Sequence, residues 1–276
     1  IVTPDPPIEH LPESSGPLAL QFEDVSFFYD DEEAGSPADA HGHVLNRVDF
    51  SLAPGEVLGL LGRTGSGKTT LTRLLFRLYD PQTGMVRIGP SLQHLVDIQG
   101  IPLPTLRSRI GMVTQSIELF HATVRDNLTF FDPAIPDRHI LEVIDGLGLG
   151  GWFSGLQNGL DTVLSSGGGG LSAGEAQLLA FTRIFLRDPG LVVLDEASSR
   201  LDPATETLIE RAVERLIAGR TALIIAHRLK TLEIADKIMI LEKGNVVEYG
   251  ERLALALDPN ARFNHLLRTG LDEVLT

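Results

Sequence analysis

The stretch GRTGSGKT (62–69) constrains this chain more than any other, because so much glycine demands a backbone that is neither helix nor strand. An apolar, strand-like run, Val57-Leu58-Gly59-Leu60-Leu61, precedes it, and a helix-forming stretch, Thr70 to Leu78, follows. In that setting the spacing Gly62-x-x-x-x-Gly67-Lys68-Thr69 describes a phosphate site. Glycines let successive N–H groups turn inward toward phosphate oxygens, and the helix N-terminus adds partial positive charge. The run Gly62, Arg63, Thr64, Gly65, Ser66, Gly67, Lys68, Thr69, Thr70 is therefore expected to wrap a triphosphate. Lys68 would reach its β- and γ-phosphates, and the Thr69 hydroxyl would ligate Mg²⁺.

A second constellation lies far downstream. LVVLDE (191–196) sets two carboxylates at the end of a continuous apolar strand, where ligands of open α/β sheets collect. Asp195 is expected to hold Mg²⁺, and Glu196 to polarise a water that attacks the γ-phosphate. His227 closes another apolar run, TALIIA (221–226), and is placed to hydrogen-bond the same phosphate.

Composition bounds the alternatives. A net charge of −14 argues against a nucleic-acid partner, which would need clustered Lys and Arg. With no cysteine, disulfides and thiolate metal sites are impossible. No apolar run approaches the ~18 residues of a membrane span. The opening segment IVTPDPPIEHLPESSGP is rich in Pro and acid and reads as a linker, residues 1–17, to a preceding domain.

The coarse pattern is α/β. Strands are expected at 18–29, 44–52, 57–61, 84–89, 109–114, 191–194, 221–226 and 238–241. Helices are expected after 69, at 122–130 and 137–148, from Ser172, and at 203–218, where Pro203 opens the helix and Gly219 follows it. Lys243-Gly244-Asn245 turns a hairpin into 246–249. Alternating strands and helices in the second half imply a mostly parallel sheet covered on both faces. HGH (41–43), in an acidic loop, reads as solvated rather than as a metal site.

With the order of motifs set out, the chain resembles the nucleotide-binding domain of ATP-binding cassette (ABC) transporters, from about residue 20 to 267. LSAGEAQ (171–177) looks like that family's signature and separates it from other P-loop proteins. The order also matches: P-loop, Gln115 in MVTQ, signature, Asp195-Glu196, SRLD (199–202), His227. The resemblance implies a P-loop NTPase core with a mostly parallel sheet, an N-terminal antiparallel β subdomain and an α-helical signature subdomain at about 116–187, within a domain spanning 18–276. It implies ATP and Mg²⁺, with Thr69, Gln115 and Asp195 toward the metal, Lys68, Glu196 and His227 catalytic, and Tyr29 stacked on adenine. It further implies that Leu171, Ser172, Ala173, Gly174 and Glu175 bind the ATP of a second nucleotide-binding domain, with Asp202 at the dimer interface.

The segment from Glu118 to Phe120 and ATVRDNL (122–128) looks exporter-like. It implies a transmembrane domain of the same transporter as partner, and a place at the cytoplasmic face of a membrane. Three positions depart from the family pattern. Ala173 stands where glycine is usual, Glu175 where glutamine is commoner, and no glutamate lies near Ser166 in SSGGGG (165–170). The last departure puts the contact with the transmembrane part in question and suggests one half of an asymmetric pair. The reading is an ATP-hydrolysing export motor, with a slowly hydrolysing regulatory half as its alternative.

Overall fold

The computed structural model describes residues 16–29, 43–114, 117–165, 171–195, 203–226 and 229–269. Strand β3 (Val57–Leu61) is buried along its whole length, which requires other strands beside it and cover on both faces. It lies inside a six-stranded sheet with β6 (Ile110–Val113), β7 (Leu191–Asp195), β8 (Thr221–Ile225), β9 (Lys237–Glu242) and β10 (Asn245–Glu251). The order is β10-β9-β3-β8-β7-β6. Every pairing is parallel except the β9–β10 hairpin, turned by Lys243 and Gly244, both at positive φ.

Alternation along these strands divides the core in two. Val57, Leu61, Val192, Leu194, Ala222, Ile224, Ile238 and Ile240 face one apolar cluster. Leu58, Leu60, Leu191, Val193, Leu223, Ile225, Met239 and Leu241 face the other. A period of two with both faces apolar is what a continuous hydrophobic strand encodes.

One face is covered by α6 (Ala173–Arg187) and α7 (Pro203–Ile217), together with α3 (Val124–Thr129) and α4 (Asp137–Gly146). The other carries α1 (Lys68–Leu75) and an antiparallel sheet of order β2-β1-β4-β5. Its strands are β1 (Ala19–Phe27), β2 (Leu45–Leu52), β4 (Thr83–Ser91) and β5 (His94–Asp97). This bears out the expected α/β class with a mostly parallel sheet and an antiparallel N-terminal one.

Some boundaries differ from the sequence reading. The strand expected from residue 109 begins at Ile110, because α2 (Leu103–Arg109) occupies the residues before it. Helix α1 stops at Leu75, short of the expected Leu78. Phe76 caps it, and Arg77 then turns into positive φ with its guanidinium buried against Asp80 and the carbonyls of Ile98 and Ile101. Short helices α5 (Gly150–Ser154), α8 (Arg252–Leu257) and α9 (Arg262–Thr269) complete the α-helices among the described residues.

Candidate nucleotide site

The loop from Gly62 to Gly67 joins β3 to α1 and folds as the glycines demand. Gly62, Gly65 and Gly67 have φ of 151°, 79° and 111°. A Cβ on Gly62 would stand 2.4 Å from the Leu241 carbonyl oxygen, and one on Gly67 2.7 Å from Leu45 Cδ2. Strands β9 and β2 thus press the loop from beneath. The Gly244 N–H donates to the Ser66 carbonyl at 3.0 Å, fixing the hairpin turn to the loop. Gly65 has open space around its Cα, so only its dihedrals require glycine there.

The cradle carries the features an anion needs. Helix α1 starts at Gly67 with no side-chain cap and no acid in its first turn, so its leading N–H groups have no side-chain acceptor. Lys68 is 9% exposed, and its ammonium donates to the carbonyls of Gly62 (2.5 Å) and Arg63 (3.0 Å). Burial holds its pKa below the ordinary lysine value, opposed by the charge of Asp195 at the end of β7. Thr69 is exposed, whereas the Ser66 hydroxyl is buried without a hydrogen-bond partner. A buried cation, an orphaned hydroxyl and an uncapped helix start all fit a bound phosphate chain.

The parallel sheet fixes what lies beside this loop. Leu60 pairs with Ile225, Ile225 with Asp195, and Val113 with Leu194, so β3, β8, β7 and β6 end along one edge. Ligands of open α/β sheets bind at that edge. Gln115, Glu196 and His227 follow those strand ends in sequence, but they lie outside the described residues, as do Asp202, Ser166 and His41.

Tyr29 follows β1 and reaches α1. Its hydroxyl is 3.1 Å from Thr70 Oγ1 and accepts an N–H of Arg73 at 3.1 Å. The sequence reading placed Thr70 among the phosphate ligands, and here its hydroxyl is turned to Tyr29. Arg73 escaped that reading, although its spacing three residues after Thr70 puts both on one helix face.

The signature turn is a helix cap. Ser172 Oγ accepts the Glu175 N–H at 3.2 Å, and the Glu175 carboxylate accepts the Ser172 N–H at 2.7 Å. This reciprocal pair starts α6, with Ser172 and Ala173 exposed and Gly174 buried. It also gives Glu175 a physical role, since its carboxylate complements the helix dipole.

Beside α6, a cleft of about 380 Å³ runs along residues flanking position 115, among them Thr114, Ile117 and Glu118. Phe120, Phe130, Arg183 and Arg187 line it, with both guanidinium groups within 4.7 Å of the Phe130 ring centre. Arg183 is buried and holds the 118–127 segment through the carbonyls of Glu118 and Asn127 and the Asn127 side chain. The sequence reading missed both Arg183 and Asn127; two Arg one turn apart on a largely apolar helix, Arg183 and Arg187, were their only signal.

Residues 45–199 match the family described as "ABC transporter". The chain is 37% identical, over 93% of its length, to the "Toxin RTX-I translocation ATP-binding protein" of Actinobacillus pleuropneumoniae, and covers 34% of that protein. It is 38% identical, over 91% of its length, to the "ATP-dependent lipid A-core flippase" of Chromobacterium violaceum, covering 41% of it. A solved bacterial Atm1-family ABC exporter with ATP bound superposes with a TM-score of 0.79 at 29% identity, over 95% of this chain and 43% of that one. The chain thus spans about a third to two fifths of the curated relatives it matches.

Proposed function

This chain belongs to the ABC transporter family, and from that premise we propose that it is the ATP-hydrolysing motor domain of an exporter. The observation that carries the reading is Lys68, a buried ammonium held by loop carbonyls at the uncapped start of α1, in the field of Asp195. Burying a cation is costly, and a triphosphate supplies negative charge that the loop carbonyls do not.

Each residue then has a part. Lys68 and the loop N–H groups neutralise charge that grows on the γ-phosphate as it separates from its leaving group. Thr69, Asp195 and Gln115 would hold Mg²⁺, which would supply positive charge against the phosphates. Glu196 orients and polarises the attacking water, and His227 hydrogen-bonds the γ-phosphate. Tyr29 stacks on adenine.

The partners follow from the same reading. A second nucleotide-binding domain would present its Leu171 to Glu175 turn to this ATP, with Asp202 at the seam. ATP thereby bridges two chains and drives their closure. Residues 18–276 form the motor, with 116–187 as its helical part. Residues 1–17 link it to a transmembrane domain, which would place the motor at the cytoplasmic face of the membrane.

The cleft lined by Thr114, Ile117 and Glu118, with its half-exposed Phe120 and Phe130, is a surface suited to that transmembrane partner. Two of the matched relatives are named for toxin translocation and for a lipid A-core flippase, which supports export as the direction of work. Among the described residues no helix is long and apolar enough to cross a membrane.

The test is Mg²⁺-dependent ATP hydrolysis by wild type and Lys68→Ala. Wild type should turn over, and Lys68→Ala should lose most binding and turnover. An unaltered rate in the variant would overturn the phosphate-cradle reading.

A further inference from the structure

Tyr29 is held more firmly than an aromatic at a strand end needs to be. Phe27 meets its ring edge-on with centroids 4.8 Å apart, and Tyr79 does the same at 5.2 Å. The two contacts fix the ring plane, while the hydroxyl fixes the tilt. A phenol oxygen carries one hydrogen and accepts as well. Here it accepts from Arg73, which leaves its own hydrogen free for Thr70 Oγ1.

Thr70 is 5% exposed and stands two residues after Lys68 on the first turn of α1. Arg73 follows one turn later on the same face and is exposed. One short chain of bonds therefore ties the Tyr29 ring to the helix whose start forms the phosphate cradle.

Stacking on a base requires only the π face, which phenylalanine supplies equally well. The hydroxyl has a different use. An untethered ring must surrender rotamer freedom when a ligand arrives, whereas a tethered one has already done so. We propose that Arg73 and Thr70 are positioning residues that lock Tyr29 as a preset platform for a nucleobase, making platform and phosphate cradle one rigid unit built on α1. This rests on the reading of Tyr29 as the base-stacking residue.

The experiment compares the affinities of Mg-ATP and Mg-tripolyphosphate, which lacks a base, for the 276-residue chain and three variants, Tyr29→Phe, Arg73→Met and Tyr29→Ala. The tether predicts that Tyr29→Phe and Arg73→Met each weaken ATP about five-fold, the cost of ordering one freed side chain on binding, and leave tripolyphosphate unchanged. Tyr29→Ala should weaken ATP further and again spare tripolyphosphate.

Three results would overturn the proposal. Loss of ATP affinity in Tyr29→Ala alone leaves the base platform standing and the tether idle. Equal weakening of both ligands in Arg73→Met reduces the bridge to a prop for α1. ATP affinity unchanged in Tyr29→Ala removes the base-stacking reading itself, and the tether with it.

Discussion

Gly62 and Gly65 both need glycine, but for different physical reasons, and the difference can be measured. At Gly65 an alanine would meet open space and suffer only its positive φ, costing about 1 kcal/mol. At Gly62 it would also drive a Cβ into the Leu241 carbonyl, so backbone must move and the cost rises to about 3 kcal/mol or more. Urea unfolding of the two alanine variants should rank them in that order, and equal losses would contradict the packing described for β9. Lys68 gives a second prediction. Its folded pKa is lowered, so its charge is lost at a lower pH than an exposed lysine's, and the anion site weakens with it. ATP affinity should therefore decline on the alkaline side before an ordinary lysine would titrate. Affinity that stays flat through that range would mean that the Lys68 ammonium does not engage the phosphates. At this scale the glycine loop and Lys68 were legible because the motif is local and its chemistry stringent. Arg73 was not legible, because its role depends on Tyr29, which stands 44 residues away in the chain.

Among the elements, α6 is positioned from both ends of its buried face. At its start, Ser172 and Glu175 satisfy each other's backbone groups. Toward its C-terminal end, Arg183 donates three hydrogen bonds to the 118–127 segment, and Asn127 donates to the carbonyls of Phe120, Ala122 and Thr123. Replacing Arg183 by Met would leave buried carbonyls unpaired and lose its packing on Phe130. A stability loss of about 2–4 kcal/mol is expected, with faster hydrogen exchange concentrated in 118–128. Exchange that rises uniformly across the chain would show that Arg183 supports the core at large rather than that segment. The long buried strands and α6 were readable from their apolar runs and from the S-x-x-E cap. Strand β5 and helices α2 and α8 were not. β5 has four residues, none of them buried. α2 carries Pro104 in its first turn, where proline is tolerated but reads as a break. α8 buries no residue, which leaves no periodic stripe to detect.

For the molecule as a whole, charge sets the conditions for association. A chain carrying −14 repels its copy, so under the proposed function ATP bound across the seam would have to supply the association. A Glu196→Gln chain should sediment as a monomer without nucleotide and as a dimer with ATP, and moderate salt should favour the dimer by screening that repulsion. A monomer that persists with ATP at high protein concentration would point to a different partner chain or to no paired site. The strand order explains why the whole plan was legible while its parts stood far apart in sequence. β3, β8, β7 and β6 are parallel neighbours, so residues near 62, 195 and 226 meet at one edge although scattered through the chain. If this chain itself hydrolyses ATP, Glu196 prepares the attacking water. Single-turnover hydrolysis by wild type and Glu196→Gln, at matched ATP occupancy, tests it most directly. Equal ATP affinity and a rate lower by about 10²–10⁴-fold in the variant are expected. A wild-type rate indistinguishable from that of Glu196→Gln would contradict it.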